Sequence, residues 1–154
     1  MTCQSIQITS QSVFFSETQA RDVWEILKDV SHWPEWETNF QEARLEKGLQ
    51  VDGTITIIHK DNRQPMVLRI CRLVEEKYFD TDCSLPFGQV TVTREILPRD
   101  GGIELTHSFF LLPSNRESQE IFLRDFKPQV QDSFANAVKR IHAIVLQKQS
   151  SHVF

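Results

Sequence analysis

The sequence predicts an α+β fold in which a curved antiparallel sheet wraps a long C-terminal helix. Three observations carry this prediction. Between residues 40 and 112 apolar residues recur with a period of two, the spacing of a strand with one buried face. The breaks between these runs are short and hold turn residues, so consecutive strands must be antiparallel. On either side of this region the apolar spacing becomes helical.

Ile6, Ile8 and Val13-Phe14-Phe15 predict a first strand with a bulge. Ser16 and Gln19 form a capping-box pattern, and Ala20, Val23, Trp24 and Leu27 then share a helical face, so a helix is predicted over 17–29. Ser31-His32-Trp33-Pro34-Glu35-Trp36 predicts a short second helix or turn, because Pro34 fits a first helical turn and disfavours a continuous helix. Six strands follow over 40–46, 53–60, 64–75, 78–85, 88–98 and 103–112. Leu123, Phe126, Val130, Phe134, Ala137, Val138, Ile141 and Val145 then make one helical stripe. Pro128 lies inside it, and either opens the main helix or kinks it.

Turn positions fix cross-strand partners, and a slip of one residue would flip every side chain. With loops at Asp61-Asn62, Glu76-Lys77, Pro86-Phe87 and Arg99-Asp100-Gly101-Gly102, Ile57 faces Met66 and Ile55 faces Leu68. Val74 faces Phe79, Ile70 faces Cys83, Thr81 faces Val92, Val92 faces Phe109 and Ile96 faces Leu105. These residues share one side, while Arg69, Asp80, Asp82, Thr91, Thr93, Glu104, Thr106 and Ser108 share the other. A sheet with one dry face must cover it, and the C-terminal helix has the matching stripe.

The 154 residues suit one domain, 1–154, with a core that needs no disulfide or metal. A formal net charge of −4 argues against nucleic acid as a partner. No apolar run approaches the ~20 residues of a membrane-spanning helix, so no integral membrane segment is expected. Cys3, Cys71 and Cys83 follow no metal-ligand spacing and predict reduced thiols in a cytoplasmic protein, consistent with a polar N-terminus lacking a secretory core. Nothing in the sequence calls for a cofactor or a metal, and nothing specifies an oligomeric state.

The dry face carries a polar island. Arg94 falls opposite His107, Arg72 lies between Ile70 and Val74, and Thr81 lies between Arg72 and Val92; His59 sits near a turn at the edge. No sheet carboxylate falls among them. An unpaired buried arginine is costly, which leaves two readings. In one, a ligand carboxylate, phosphate, phenolate or carbonyl completes the site, with apolar walls from Ile57, Leu68, Phe79, Val92, Phe109 and the helical Phe134. In the other, an Asp or Glu from a helix or loop pairs with the arginines, or their heads reach solvent.

The segment from Val13-Phe14-Phe15-Ser16 through Val23-Trp24 to Asp29-Val30-Ser31-His32-Trp33-Pro34-Glu35-Trp36 resembles the opening of the START/Bet v 1-like (SRPBCC) superfamily, in its polyketide cyclase/dehydrase branch. Glu95 to Thr106, with Pro98-Arg99-Asp100-Gly101-Gly102 at its centre, resembles that branch's last hairpin. The resemblance implies a helix-grip fold, a seven-stranded antiparallel sheet around the last helix. It also implies a small hydrophobic partner such as a lipid, polyketide or quinone. Active residues vary among its branches, so it transfers no catalytic residue.

Three functions follow. The first is binding or carriage of a small apolar molecule with a polar or anionic end in an internal cavity. The second is a cyclase, dehydratase or isomerase in which His107 or His59 moves a proton and Arg94 or Arg72 stabilises an enolate. The third is an interaction module whose cavity is filled by Met66, Leu68, Phe79, Phe109 and Phe134.

Overall fold

In a computed structural model, which describes residues 4–61 and 64–151, seven strands form one antiparallel sheet: β1 (Ile6–Ser16), β2 (Phe40–Glu46), β3 (Thr54–His59), β4 (Met66–Val74), β5 (Tyr78–Leu85), β6 (Gly88–Arg99) and β7 (Gly102–Pro113). The spatial order is β1-β7-β6-β5-β4-β3-β2, so β1 and β2 are the two edges. Helix α1 (Ala20–Lys28) and a 3₁₀ turn (Val30–Glu35) connect those edges. A short helix α2 (Arg116–Ile121), a π-helical turn (Phe122–Phe126) and the long α3 (Lys127–Ser151) follow the sheet. This is the helix-grip fold. Cys3 and part of the predicted Asp61-Asn62 turn lie outside the described residues.

Local chemistry explains the junctions. The Ser16 N–H donates to Gln19 Oε1 at 2.9 Å, closing the predicted capping box, and Val23, Trp24, Ile26 and Leu27 of α1 are buried. Trp33 Nε1 donates to the Leu27 carbonyl at 2.9 Å, tying the 3₁₀ turn to the end of α1. Pro128 opens no helix, because the backbone is helical without a break from Arg116 to Ser151; it follows directly on the π-helical turn, inside the run. The π-helical turn before it is closed by the Lys127 N–H on the Phe122 carbonyl. At the β5–β6 turn Gly88 has φ +148°, and a Cβ there would collide with the Leu112 carbonyl.

The register agrees with expectation on both sides of the sheet. Ile57 pairs with Met66 and Ile55 with Leu68; Thr81 pairs with Val92, Ile96 with Leu105, Arg94 with His107 and Val92 with Phe109. The β4–β5 ladder differs. Val74 pairs with Tyr78 and Leu73 with Phe79, and a bulge at Cys71 shifts the register again, so that Ile70 pairs with Thr81. The bulged residue takes no partner, so the alternation restarts one residue late. Leu73 therefore turns inward, while Val74 and Arg72 turn out.

The concave face is buried in two clusters. The larger joins α1, the 3₁₀ turn and α3 to Ile55, Ile57, Leu68, Ile70, Phe79, Ile96 and Leu105. The smaller gathers Ile8, Val90, Leu111 and Phe122, with half-buried Cys83, Val92, Phe109, Phe126 and Val130 around them. Helix α3 runs against β1 and β7 and meets α1.

Candidate functional site

Between the two apolar clusters lies a polar layer. Arg94 and His107 face each other across β6 and β7, and their exposures are 4% and 1%. Each projects inward because its strand alternates: Val92, Arg94 and Ile96 share one side of β6, as Leu105, His107 and Phe109 do on β7.

Arg94 reaches towards β5. Its Nη1 donates to Thr81 Oγ1 at 3.2 Å and towards the Phe79 carbonyl at 3.4 Å. That carbonyl is within reach because the β5–β6 ladder skips Phe79 and Asp80, between the pairs Tyr78–Glu95 and Thr81–Val92. The guanidinium lies 4.6 Å from the centroid of the Trp33 ring, an arrangement in which ring and cation attract. Burial lowers its pKa to about 10, against the pull of Glu37 and Asp80, so it stays charged at neutral pH. Among the described residues no carboxylate forms an ion pair with it, and its Nε has no hydrogen-bond partner.

His107 stacks on Phe134 of α3 at 4.1 Å and meets the edge of Trp36 at 5.9 Å. Its Nε2 lies 3.2 Å from Glu37 Oε1, on the loop after the 3₁₀ turn; Glu37 is 7% exposed. Burial pushes the imidazole pKa down, with Arg94 pushing the same way and Glu37 opposing. A carboxylate only accepts, so this contact places the hydrogen on Nε2 and leaves a lone pair on Nδ1. That Nδ1 is buried and without a partner among the described residues. Chemically, the layer holds an oriented imidazole that can accept a proton or a hydrogen bond, beside a cation with an N–H to give.

The structure brings Arg94, His107 and Thr81 together, as expected, and adds Glu37, which sequence reasoning missed. Arg72 does not join them. The Cys71 bulge turns it to the convex face, where it is 53% exposed, pairs with Asp80 at 3.0 Å and lies over the Tyr78 ring at 4.1 Å. Asp80 is buried on that face, with a pKa raised chiefly by burial. His59 is half-buried at the end of β3 and stands edge-on to Phe40 at 5.1 Å, with its pKa lowered by burial. Ile57, Leu68 and Phe79 are buried in the larger cluster, while Val92 and Phe109 remain half-buried and Phe134 caps His107. Trp33 and Trp36, both fully buried, fix the 3₁₀ turn against Phe79 and His107.

Two surface recesses lie elsewhere. One of about 590 Å³ runs between the end of α1 and β2, from Lys28 to Glu46. Another of about 220 Å³ lies between α1, the 3₁₀ turn and α3. Neither is lined by Arg94 or His107. Among the described residues no group of three His, Cys, Asp or Glu side chains is placed to hold a metal ion, and no helix is long and apolar enough to cross a membrane.

The fold recurs in solved structures. A norcoclaurine synthase from Thalictrum flavum superposes with a TM-score of 0.72 at 12% identity, covering 97% of this chain and 99% of that one. Ginseng major latex-like protein 151 from Panax ginseng gives 0.69 at 13% identity, covering 92% and 98%. The di-domain ARO/CYC StfQ of the steffimycin biosynthetic pathway gives 0.71 at 10% identity, covering 95% of this chain and 52% of that one. At these identities the likeness is one of fold. No curated protein sequence matches. The family model described as polyketide cyclase / dehydrase and lipid transport matches residues 7–143, nearly the whole chain. The chain therefore belongs to that family.

Proposed function

We propose that this chain acts as one domain that binds a small, largely apolar molecule against the concave face, with the molecule's polar end at Arg94 and His107. The observation that carries this reading is that Arg94 and His107, register partners across β6 and β7, each hold a buried nitrogen, Nε and Nδ1, without a partner among the described residues. A buried polar atom left unpaired costs roughly 1–3 kcal/mol, and folds keep such atoms where something else completes them. The half-buried Val92, Phe109, Phe126 and Val130 supply an apolar wall beside the polar layer. The family's association with lipid transport supports an apolar ligand, and the free thiols of Cys71 and Cys83 suit a reducing cytoplasm. Native mass spectrometry of protein purified from its own host is the test. It should show a noncovalent small-molecule adduct that organic extraction removes. Protein that carries no adduct and takes up no apolar probe would overturn the proposal.

The Glu37–His107 contact favours a second reading, an enzyme acting on an enolisable carbonyl compound. His107 Nδ1 would take a proton from the carbon beside the carbonyl, the C–H electron pair would become the enolate, and Arg94 would hold the enolate oxygen. Deuterium exchange into a bound ketone, lost in His107→Gln, separates this from binding alone.

A further inference from the structure

The charges around the polar layer define what its missing partner must be, given the binding reading above. Arg94 contributes one positive charge and Glu37 one negative charge. His107 is neutral, because burial among Phe134, Trp36 and the sheet lowers its pKa. Thr81 and Phe79 from β5 bring no charge, α3 presents Phe134, and Asp80 faces the other side of the sheet with Arg72. His59, at the edge, is also driven towards its neutral form. The layer is therefore already balanced. A carboxylate or phosphate would add an uncompensated buried anion and set it against the Nδ1 lone pair.

Four buried side-chain atoms lack a partner among the described residues; Asp80 Oδ1 belongs with Arg72 and Trp36 Nε1 to the ring edge-on to His107, and the two in the Arg94–His107 pair are of opposite kinds. Arg94 Nε carries an N–H and can only donate, whereas His107 Nδ1, with the ring hydrogen held on Nε2 by Glu37, can only accept. We infer that the site recognises a neutral hydroxyl on an apolar frame, a phenol, enol or alcohol, whose O–H donates to His107 Nδ1 while its oxygen accepts from Arg94 Nε. Glu37 is then the positioning residue that decides specificity: it fixes the imidazole's hydrogen and cancels the guanidinium charge.

Three probes of equal size test this by calorimetry at neutral pH: 4-butylphenol, 4-butylanisole and 4-butylbenzoate. The phenol is neutral there and the benzoate ionised. The phenol should bind about tenfold more tightly than the anisole, which lacks the donor, and at least as far above the benzoate. In Glu37→Gln the layer gains a net positive charge and loses its fixed imidazole hydrogen, so the order of phenol and benzoate should reverse. If that variant does not fold, acidifying the wild type does the same work. Protonating His107 turns Nδ1 into a donor, so benzoate affinity should rise and phenol affinity fall as pH drops from 7 to 5. A wild type that prefers benzoate at neutral pH overturns the hydroxyl assignment but leaves ligand binding standing. If none of the three probes binds, both fall.

Discussion

Glu37 and His107, seventy positions apart in sequence, meet at 3.2 Å in the interior, and their contact joins the Trp33–Trp36 turn to the centre of the sheet. Both side chains are buried, so neither can exchange its partner for water. Replacing Glu37 by Ala should therefore cost about 1–3 kcal/mol of folding stability, because His107 keeps a buried donor with nothing to accept it. Urea unfolding measures this. A loss within about 0.5 kcal/mol would mean that the contact does not tie the turn to the sheet.

Arg72 should behave as a structural residue. It pairs with the buried Asp80 from the convex face, away from the concave layer. Arg72→Met should cost about 1–2 kcal/mol, discounted for its exposure, by leaving Asp80 without its cation. The affinity for any probe of the concave face should not change. Calorimetry on this variant separates the two faces of the sheet; a large loss of affinity would return Arg72 to the site.

How much of this was legible in sequence depends on where punctuation falls. The β6–β7 hairpin was legible because Asp100-Gly101-Gly102 marks one turn, with Gly101 at φ +80°, and an unbroken alternation then runs to Pro113. Arg94 opposite His107 followed directly. The β4–β5 pair was not, because nothing marks the Cys71 bulge: Leu68, Ile70, Arg72 and Val74 read through it as one alternating strand. A signal was present in Leu73, an apolar residue that the unbulged register strands on the polar face. Glu37 was missed for another reason. It lies in a loop with no periodicity, and only tertiary packing of Trp33 and Trp36 carries it to His107. The reading in which a loop carboxylate pairs with the arginines is met by neither: the loop's Glu37 goes to His107, Arg72 reaches solvent and pairs with Asp80 of the sheet, and Arg94 lacks an ion-pair partner among the described residues.

Trp24 is a core residue. It is buried on the inner face of α1, and its ring lies 6.3 Å from that of Phe79. Trp24→Ala should destabilise the fold by about 3–5 kcal/mol, the usual cost of emptying a large aromatic site. Denaturant midpoints test this, and a change below about 1 kcal/mol would show that the site collapses or was never packed.

Stability should fall as the solution is acidified below neutrality. His107 and His59 both have folded pKa values below the ordinary histidine value, through burial. The unfolded chain binds protons first, near pH 6.5, and the folded chain resists until lower pH. Their contribution is therefore complete above about pH 6.5 and is lost as pH drops towards the folded values. Asp80 works the other way, since its raised pKa lets the folded state take up a proton more readily in acid. Melting temperatures between pH 7.5 and 5 should decline, and His107→Gln should flatten the decline. An equal slope in that variant would assign the effect to other groups.

Arg94→Met isolates the cation. The guanidinium is buried, pairs with no carboxylate among the described residues and keeps two hydrogen bonds and the Trp33 ring as compensation. Replacing it with an apolar side chain of similar length removes a buried charge and those contacts, but it also leaves the Glu37 carboxylate as the layer's unbalanced charge beside a neutral His107. The empty protein should therefore lose about 1–3 kcal/mol of stability. Glu37 keeps its bond to His107 in this variant, so the turn remains anchored. A hydroxyl-bearing probe should lose about 1.5–3 kcal/mol of affinity, the worth of one hydrogen bond from a charged donor. Unchanged probe affinity, with the same or a larger stability loss, would mean that Arg94 serves the fold through Glu37 and Trp33 rather than a bound molecule. Melting curves with and without 4-butylphenol, on both proteins, decide between the two.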